Sequence, residues 1–168
     1  MLKKTVLAAL VLMCLFCSEK DLDGKETGAE NSEDKAKPAL KVLPFNEAVG
    51  IAGADGKLIL VKIYTDWCMW CGKMDNYTYS DSKVKKELED NFVVVSVNPE
   101  KSDQHISIQG QRYTPNAYAR HIGVRGAPAT AFHRPDGKFI RLVNGYKGPD
   151  EFLKLLREID ADYGDVLD

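Results

Sequence analysis

The stretch at residues 66–71, "DWCMWC", places two thiols, Cys68 and Cys71, three positions apart. Such a pair supports three chemistries. It can cycle between dithiol and disulfide, supply half the ligands of a structural zinc, or close as a permanent cross-link. Zinc needs four ligands, in two pairs or in a pair with closely spaced histidines. Here the other two cysteines, Cys14 and Cys17, lie in the N-terminal run, and His105, His121 and His133 are scattered. A cross-link over so short a loop constrains the unfolded chain little. The residues therefore favour redox exchange, and no metal is expected.

Redox exchange requires two thiols in unequal surroundings, so the flanking elements matter. Residues 57–64, "KLILVKIY", read as a largely apolar strand buried in a sheet. Met74 follows Trp70 and Cys71 at helical spacing, which puts Cys71 inside a helix and Cys68 in its first turn. Unpaired N–H groups and the helix dipole stabilise a thiolate there. A free thiol titrates near about 8.5, and such sites lower that to roughly 3.5–7.5. Cys68 is thus the expected nucleophile. Cys71, one turn on and less exposed, is expected to resolve the mixed disulfide.

The rest of the chain supplies a frame. A helix is predicted over residues 45–54, with Phe45, Ala48, Val49 and Ala52 on one face and Asp55-Gly56 as its stop. Asp81 or Ser80 caps "SKVKKELED", and "FVVVSV" at 92–97 is the next strand. Residues 98–113 read as a polar loop, longer than the fold needs and of the kind that is tolerated as an insertion or contacts a partner. Thr114-Pro115 opens a helix ending at His121, and "RPDGK" joins the strands "ATAFH" and "FIRLV" as a hairpin. Gly148-Pro149 opens a last helix carrying Phe152, Leu153, Leu155, Leu156 and Ile159. The predicted class is α/β: a central mixed sheet with helices on both faces. His105, His121 and His133 are read as ordinary loop, helix-end and hairpin residues.

Length and composition fit one soluble domain with extensions: 168 residues, 44% hydrophobic, net charge −2. That balance gives no reason to expect nucleic acid. Lys3 and Lys4 precede the uncharged run "TVLAALVLMCLF", too short to span a bilayer but suited to a signal peptide over residues 1–17. Because the run stops at a cysteine, it resembles a bacterial lipoprotein precursor with Cys17 as the acylated residue. Phe16 stands where that pattern wants a small residue, so secretion of a soluble form stays open. Residues 18–40 are too polar to offset their ordering entropy and are expected to be a disordered tether. The domain is expected over 41–162, with a tail at 163–168.

Four features in order resemble the thioredoxin family. They are a strand ending in "YTDWCMWC", the helix after it, Gly126-Ala127-Pro128 before a strand, and the "PDGK" hairpin with its closing helix. The continuation "KMDNYTYSDSKVKKEL" is similar to the exported reductants that include the C-terminal domain of the membrane disulfide reductase DsbD. The stretch "YARHIGVRGAPATAFHRPDGKFIRLVNGY" through "EFLKLLREI" resembles the SoxW-type proteins of sulfur-oxidation operons. The resemblance covers roughly residues 45–159.

It implies a thioredoxin-like fold in which Pro128 is cis and lies beside the cysteines, with the Ala127 backbone pairing to a substrate strand. Trp67, Met69 and Trp70 would form an apolar platform around the sulfurs, although Trp67 suits a core equally well. No cofactor is implied beyond the redox-active Cys68–Cys71 disulfide. The implied setting is the periplasm or envelope, with membrane contact only through the anchor. The implied partners are disulfide-bearing envelope proteins and, as electron donor, a membrane reductase of the DsbD or CcdA type. Two departures stand out. Lys62 occupies the strand position where many thioredoxins hold a buried Asp that deprotonates the resolving thiol, leaving the acceptor open among Asp66, Asp75 and water. Ala127 replaces the hydroxyl or branched residue usual before the proline. The leading expectation is a protein-disulfide reductase; a disulfide oxidase or isomerase and a non-catalytic adaptor are the alternatives.

Overall fold

The computed structural model describes residues 40–101 and 103–164. The expected leader, the Cys17 attachment point, nearly all of the tether and the last four residues of the tail lie outside the described residues. The elements run α1 (Phe45–Asp55), β1 (Leu58–Ile63), α2 (Met69–Lys73), a π-helical turn (Met74–Thr78), α3 (Ser82–Asn91), β2 (Phe92–Val97), β3 (Ile106–Ile108), β4 (Gln111–Tyr113), α4 (Pro115–His121), β5 (Ala129–His133), β6 (Phe139–Asn144) and α5 (Pro149–Tyr163). The main sheet has the order β2-β1-β5-β6. β1 and β2 are parallel, whereas β5 is antiparallel to both β1 and β6. The sheet is therefore mixed, as the sequence predicts.

Strand alternation divides the core into two. Ile59, Val61 and Ile63 of β1 face α1 and α4, packing with Phe45, Ala48 and Tyr118. Leu58 and Leu60 face the other way, against Leu88 of α3 and Phe152 and Leu156 of α5. With both faces covered, β1 and β2 read as near-continuous apolar runs. The same alternation sends Lys62 to the face of Leu58 and Leu60, which matters below.

Side-chain caps fix the starts of α3 and α4. Asp81 Oδ1 accepts from the N–H groups of Lys83 and Val84 at 2.9 and 3.1 Å, so Asp81 rather than Ser80 caps α3. Thr114 Oγ1 accepts from Ala117 N at 3.2 Å, with Pro115 in the first turn.

The segment at 98–113 departs from the expected loop. It contains the β3–β4 hairpin, closed by Gln109 and Gly110 at φ 48° and 80°. A two-residue turn with both φ positive matches the twist of the strands it joins. Ile106 is buried in the α1/α4 core, and Ile108 and Tyr113 pack against it. Asn46 of α1 clamps the hairpin, donating to His105 O at 3.0 Å and accepting from Ser107 N at 2.8 Å. A Gln-Gly turn between three-residue strands carries little of the usual sequence signal. Its anchors lie about 60 positions away, so tertiary contact decides the structure. The second departure is the π turn, where Tyr79 N–H reaches back to Met74 O at 2.9 Å and widens the helix just after the cysteines.

Candidate active site

β1 ends at Ile63, and the chain crosses residues 64–67 to reach Cys68, which caps α2. Cys68 Sγ accepts a hydrogen bond from Cys71 N at 3.1 Å. The two sulfurs are joined as a disulfide with Cα atoms 5.3 Å apart. Their surroundings differ: Cys68 is half-buried, while Cys71 retains 7% of its surface. A backbone N–H aimed at Cys68 Sγ favours the thiolate of that cysteine over the thiol. An incoming disulfide meets Cys68 first. The arrangement can attack through one sulfur and close through the other.

Around Cys68 the side chains are apolar and open. Trp67, Met69 and Trp70 are 75%, 82% and 51% exposed, so the alternative that Trp67 belongs to the core is corrected. Large apolar side chains are seldom left this exposed side by side on a protein surface. The rings are nonetheless held. Trp70 lies 5.4 Å from the Tyr146 ring, and the Lys73 ammonium sits 4.7 Å from Trp70 and 5.3 Å from Tyr146. Trp67 Nε1 donates to both carboxylate oxygens of Glu100, at 3.0 and 3.1 Å.

Glu100 belongs to a latch that sequence reasoning missed. Its N–H donates to Asn98 Oδ1 at 3.0 Å, Asn98 Nδ2 donates to Asp66 Oδ1 at 3.2 Å, and Lys101 pairs with Asp66 Oδ2 at 3.2 Å. The start of the supposed insertion thus braces the loop that delivers Cys68. Asp66 is thereby engaged on the outer side of that loop. The only advance signal was a polar cluster directly after β2, the parallel neighbour of the strand leading to the cysteines.

The Ala127–Pro128 peptide bond is cis, and Pro128 is buried while Ala127 is half-buried. Pro128 O accepts from Gly145 N at 2.8 Å, which ties this loop to the end of β6. Behind the disulfide, Pro128, Cys71, Lys62, Asp75 and Tyr79 line one small cavity. Lys62 and Asp75 form an ion pair, with the ammonium 4.5 Å from the Tyr79 ring. The Tyr79 hydroxyl shares a 3.2 Å hydrogen bond with Thr130 Oγ1. Burial, reinforced by the Asp75 charge, raises the Tyr79 phenol well above its ordinary range against the opposing effect of that hydrogen bond.

The histidines lie apart from the sulfurs. His105 and His121 are exposed, and the His121 ring lies 5.0 Å from Tyr113. His133 is the surprise, being fully buried at the end of β5. Its Nδ1 meets Gly137 O at 2.9 Å and its Nε2 meets the Tyr118 hydroxyl at 2.8 Å. A carbonyl can only accept, so Nδ1 carries the proton and Nε2 accepts from Tyr118. Desolvation pushes His133 down to about 4, opposed by the Gly137 hydrogen bond. Among the described residues, no group of three or more His, Cys, Asp or Glu is placed to hold a metal ion.

Residues 45–160 match the family model of a thioredoxin-like domain. The chain is 30% identical over 131 residues to the thiol:disulfide interchange protein DsbD of Tatumella citrea, an alignment covering 73% of this chain and 21% of that protein. It thus spans about a fifth of the length of the curated relatives it matches. Among solved structures it is similar to a thioredoxin from Thermus thermophilus, with 27% identity and a TM-score of 0.59 over 77% of this chain and 97% of that one. The oxidised C-terminal domain of Neisseria meningitidis DsbD shares the fold at 19% identity, with a TM-score of 0.50 over 70% of this chain and 98% of that one.

Proposed function

The chain belongs to the thioredoxin-like family, and from that premise we propose that it is an exported thiol–disulfide oxidoreductase that reduces disulfides of envelope proteins. The observation that carries the reading is the inequality of the two sulfurs: Cys68 half-buried at a helix N-cap, Cys71 buried one turn later. In the reduced protein the Cys68 thiolate attacks one sulfur of a substrate disulfide. A Cys68–substrate bond forms, and the other substrate sulfur leaves as a thiolate that takes up a proton. Cys71 then loses its proton and attacks Cys68 Sγ, releasing the second substrate thiol and closing the Cys68–Cys71 disulfide. Two electrons pass to the substrate, and the disulfide is the only redox group required.

Trp67, Met69 and Trp70 supply the apolar footing for the substrate chain, and the backbone at Ala127, beside cis-Pro128, gives it a strand to lie along. Re-reduction falls to a membrane reductase of the DsbD or CcdA type, and Cys17 is the proposed lipid attachment that keeps the domain at the envelope. Likeness to interchange proteins named DsbD supports this setting.

The direction of electron flow is tested by the equilibrium potential against glutathione, together with insulin reduction. A potential near about −270 mV, where thioredoxin sits, is expected; one near about −120 mV, where the oxidant DsbA sits, would make the protein an oxidase instead. A Cys71→Ser variant should trap its substrates as mixed disulfides on Cys68. A cellular phenotype indifferent to both cysteines would point to an adaptor.

A further inference from the structure

Closing the disulfide requires Cys71 to lose a proton, yet Cys71 is only 7% exposed. The acceptor must then be reached from the buried side, where the cavity behind the sulfurs has a volume of about 10 Å³, roughly the space of a single water. Four ionisable groups besides Cys71 line it: Lys62, Tyr64, Asp75 and Tyr79. A phenol hydroxyl is a much weaker base than a carboxylate, which sets Tyr64 aside. Tyr79 is held as a neutral phenol by burial and is engaged with Thr130, so it does not accept. Lys62, paired with a carboxylate, is an ammonium with no lone pair to offer.

Asp75 is left. It lies one turn beyond Cys71, on the π segment, and its side chain is 49% exposed. It therefore has access to the cavity on one side and to solvent on the other. Lys62 is 15% exposed and projects from β1 with Leu58 and Leu60. Its stem is packed, and its ammonium fixes the carboxylate from the strand side. The titratable groups that line the cavity with Asp75 and Cys71 are thus Lys62 from β1, Tyr64 directly after it and Tyr79 from beyond the π turn; Ala129 of β5 and Pro128 before it do not titrate.

We infer that Asp75, held in place by Lys62, takes the proton of Cys71 when the mixed disulfide is resolved. The S–H bond of Cys71 breaks as its sulfur bonds to Cys68 Sγ. The proton passes to the Asp75 carboxylate, directly or through one water, and the departing substrate thiolate leaves with the electron pair of the broken bond. Asp75 then returns the proton to solvent or to that thiolate. A strand ammonium and a helix carboxylate together do what a single buried strand acid would do. Lys62 acts through Asp75 and is a positioning residue. This inference rests on the dithiol reading above.

The test is stopped-flow reaction of the reduced full chain, carrying Cys14→Ser and Cys17→Ser so that only the active-site pair reacts, with dithiobis(nitrobenzoate), which releases one thionitrobenzoate when Cys68 attacks it and a second when Cys71 resolves. Asp75→Asn should slow the second release about tenfold or more near neutral pH and leave the first unchanged, since a positioned base contributes on that order or above. The slowed step should quicken steadily with rising pH as hydroxide takes over, and Asp75→Glu should restore most of the rate. Asp75→Ser carries the same expectation and stands in should the asparagine variant not fold. A second release unaltered in rate and pH profile in these variants overturns the inference while leaving the dithiol reading intact. In that background, a protein with both Cys68 and Cys71 that releases only one equivalent, or a Cys71→Ser variant that still releases two, overturns the dithiol reading and the inference with it.

Discussion

His133 and Lys62 are polar residues on neighbouring strands, each turned between sheet and helices, one on each face. On the α1/α4 face, His133 is sealed. Both ring nitrogens are hydrogen-bonded, and Phe45, Tyr118 and Phe139 surround the ring. On the α3/α5 face, Lys62 pairs directly with a half-exposed carboxylate, and both line a cavity that also touches Cys71. Satisfaction without access makes the first cluster a stability element. Access to a sulfur and to water makes the second a chemical one. Burial of a polar group therefore does not by itself mark a site; what it opens onto does.

The largest expected effect lies with the sulfurs and should leave the His133 cluster untouched. Cys68→Ser should abolish insulin reduction, a loss of at least about a thousandfold for removal of the sole nucleophile. Reduced Cys68→Ser and reduced wild type should melt together within about 0.5 kcal/mol, because Cys68 is a half-exposed surface position. A large stability loss would mean that Cys68 also holds the fold.

His133 should give the opposite pattern. Its folded value of about 4 lies below the unfolded 6.5. Between these values the unfolded chain binds the extra proton, so stability is fully present above about pH 6.5. It declines as pH falls towards 4, by up to about 3 kcal/mol for a shift of this size. Urea melts from pH 7.5 to 4 check this, and a His133→Gln variant should show a flatter profile with normal thiol kinetics at neutral pH. Tyr118→Phe is the milder probe. It strands His133 Nε2 without a donor and should cost about 1–3 kcal/mol, again without altering the redox rate.

These two regions also show what was legible in advance. The cysteine pair, the strand before it and the helix after it could be read because local patterning governs them. α5 was equally plain, since all five of its expected apolar residues are buried. The sequence reads His133 as an ordinary hairpin residue because nothing local reports the Tyr118 hydroxyl, which arrives from α4 on a different element. Glu100 stayed hidden for the same reason: its partner Trp67 is 33 positions earlier. Lys62 was visible as a departure in sequence, but its partner was not. Asp75 meets it through the turn of the chain after the cysteines, where the helix widens.

The smallest expected effect sharpens the comparison most. Lys62→Met keeps the packed stem and removes the charge. If the Lys62–Asp75 pair were a stability element like His133, its loss would cost several kcal/mol, as breaking a buried pair does when a charge is stranded. Asp75 is not stranded, because about half of its side-chain surface meets solvent and can be hydrated. Screening of so open a pair predicts a change within about 1 kcal/mol in urea melts at neutral pH. The Cys71 step should nonetheless slow, because an unanchored Asp75 spends less time turned towards the cavity. A stable variant with a slower second thiol release would separate the two faces by function. A variant destabilised as much as Tyr118→Phe, yet unaltered in rate, would make Lys62 and His133 the same kind of residue.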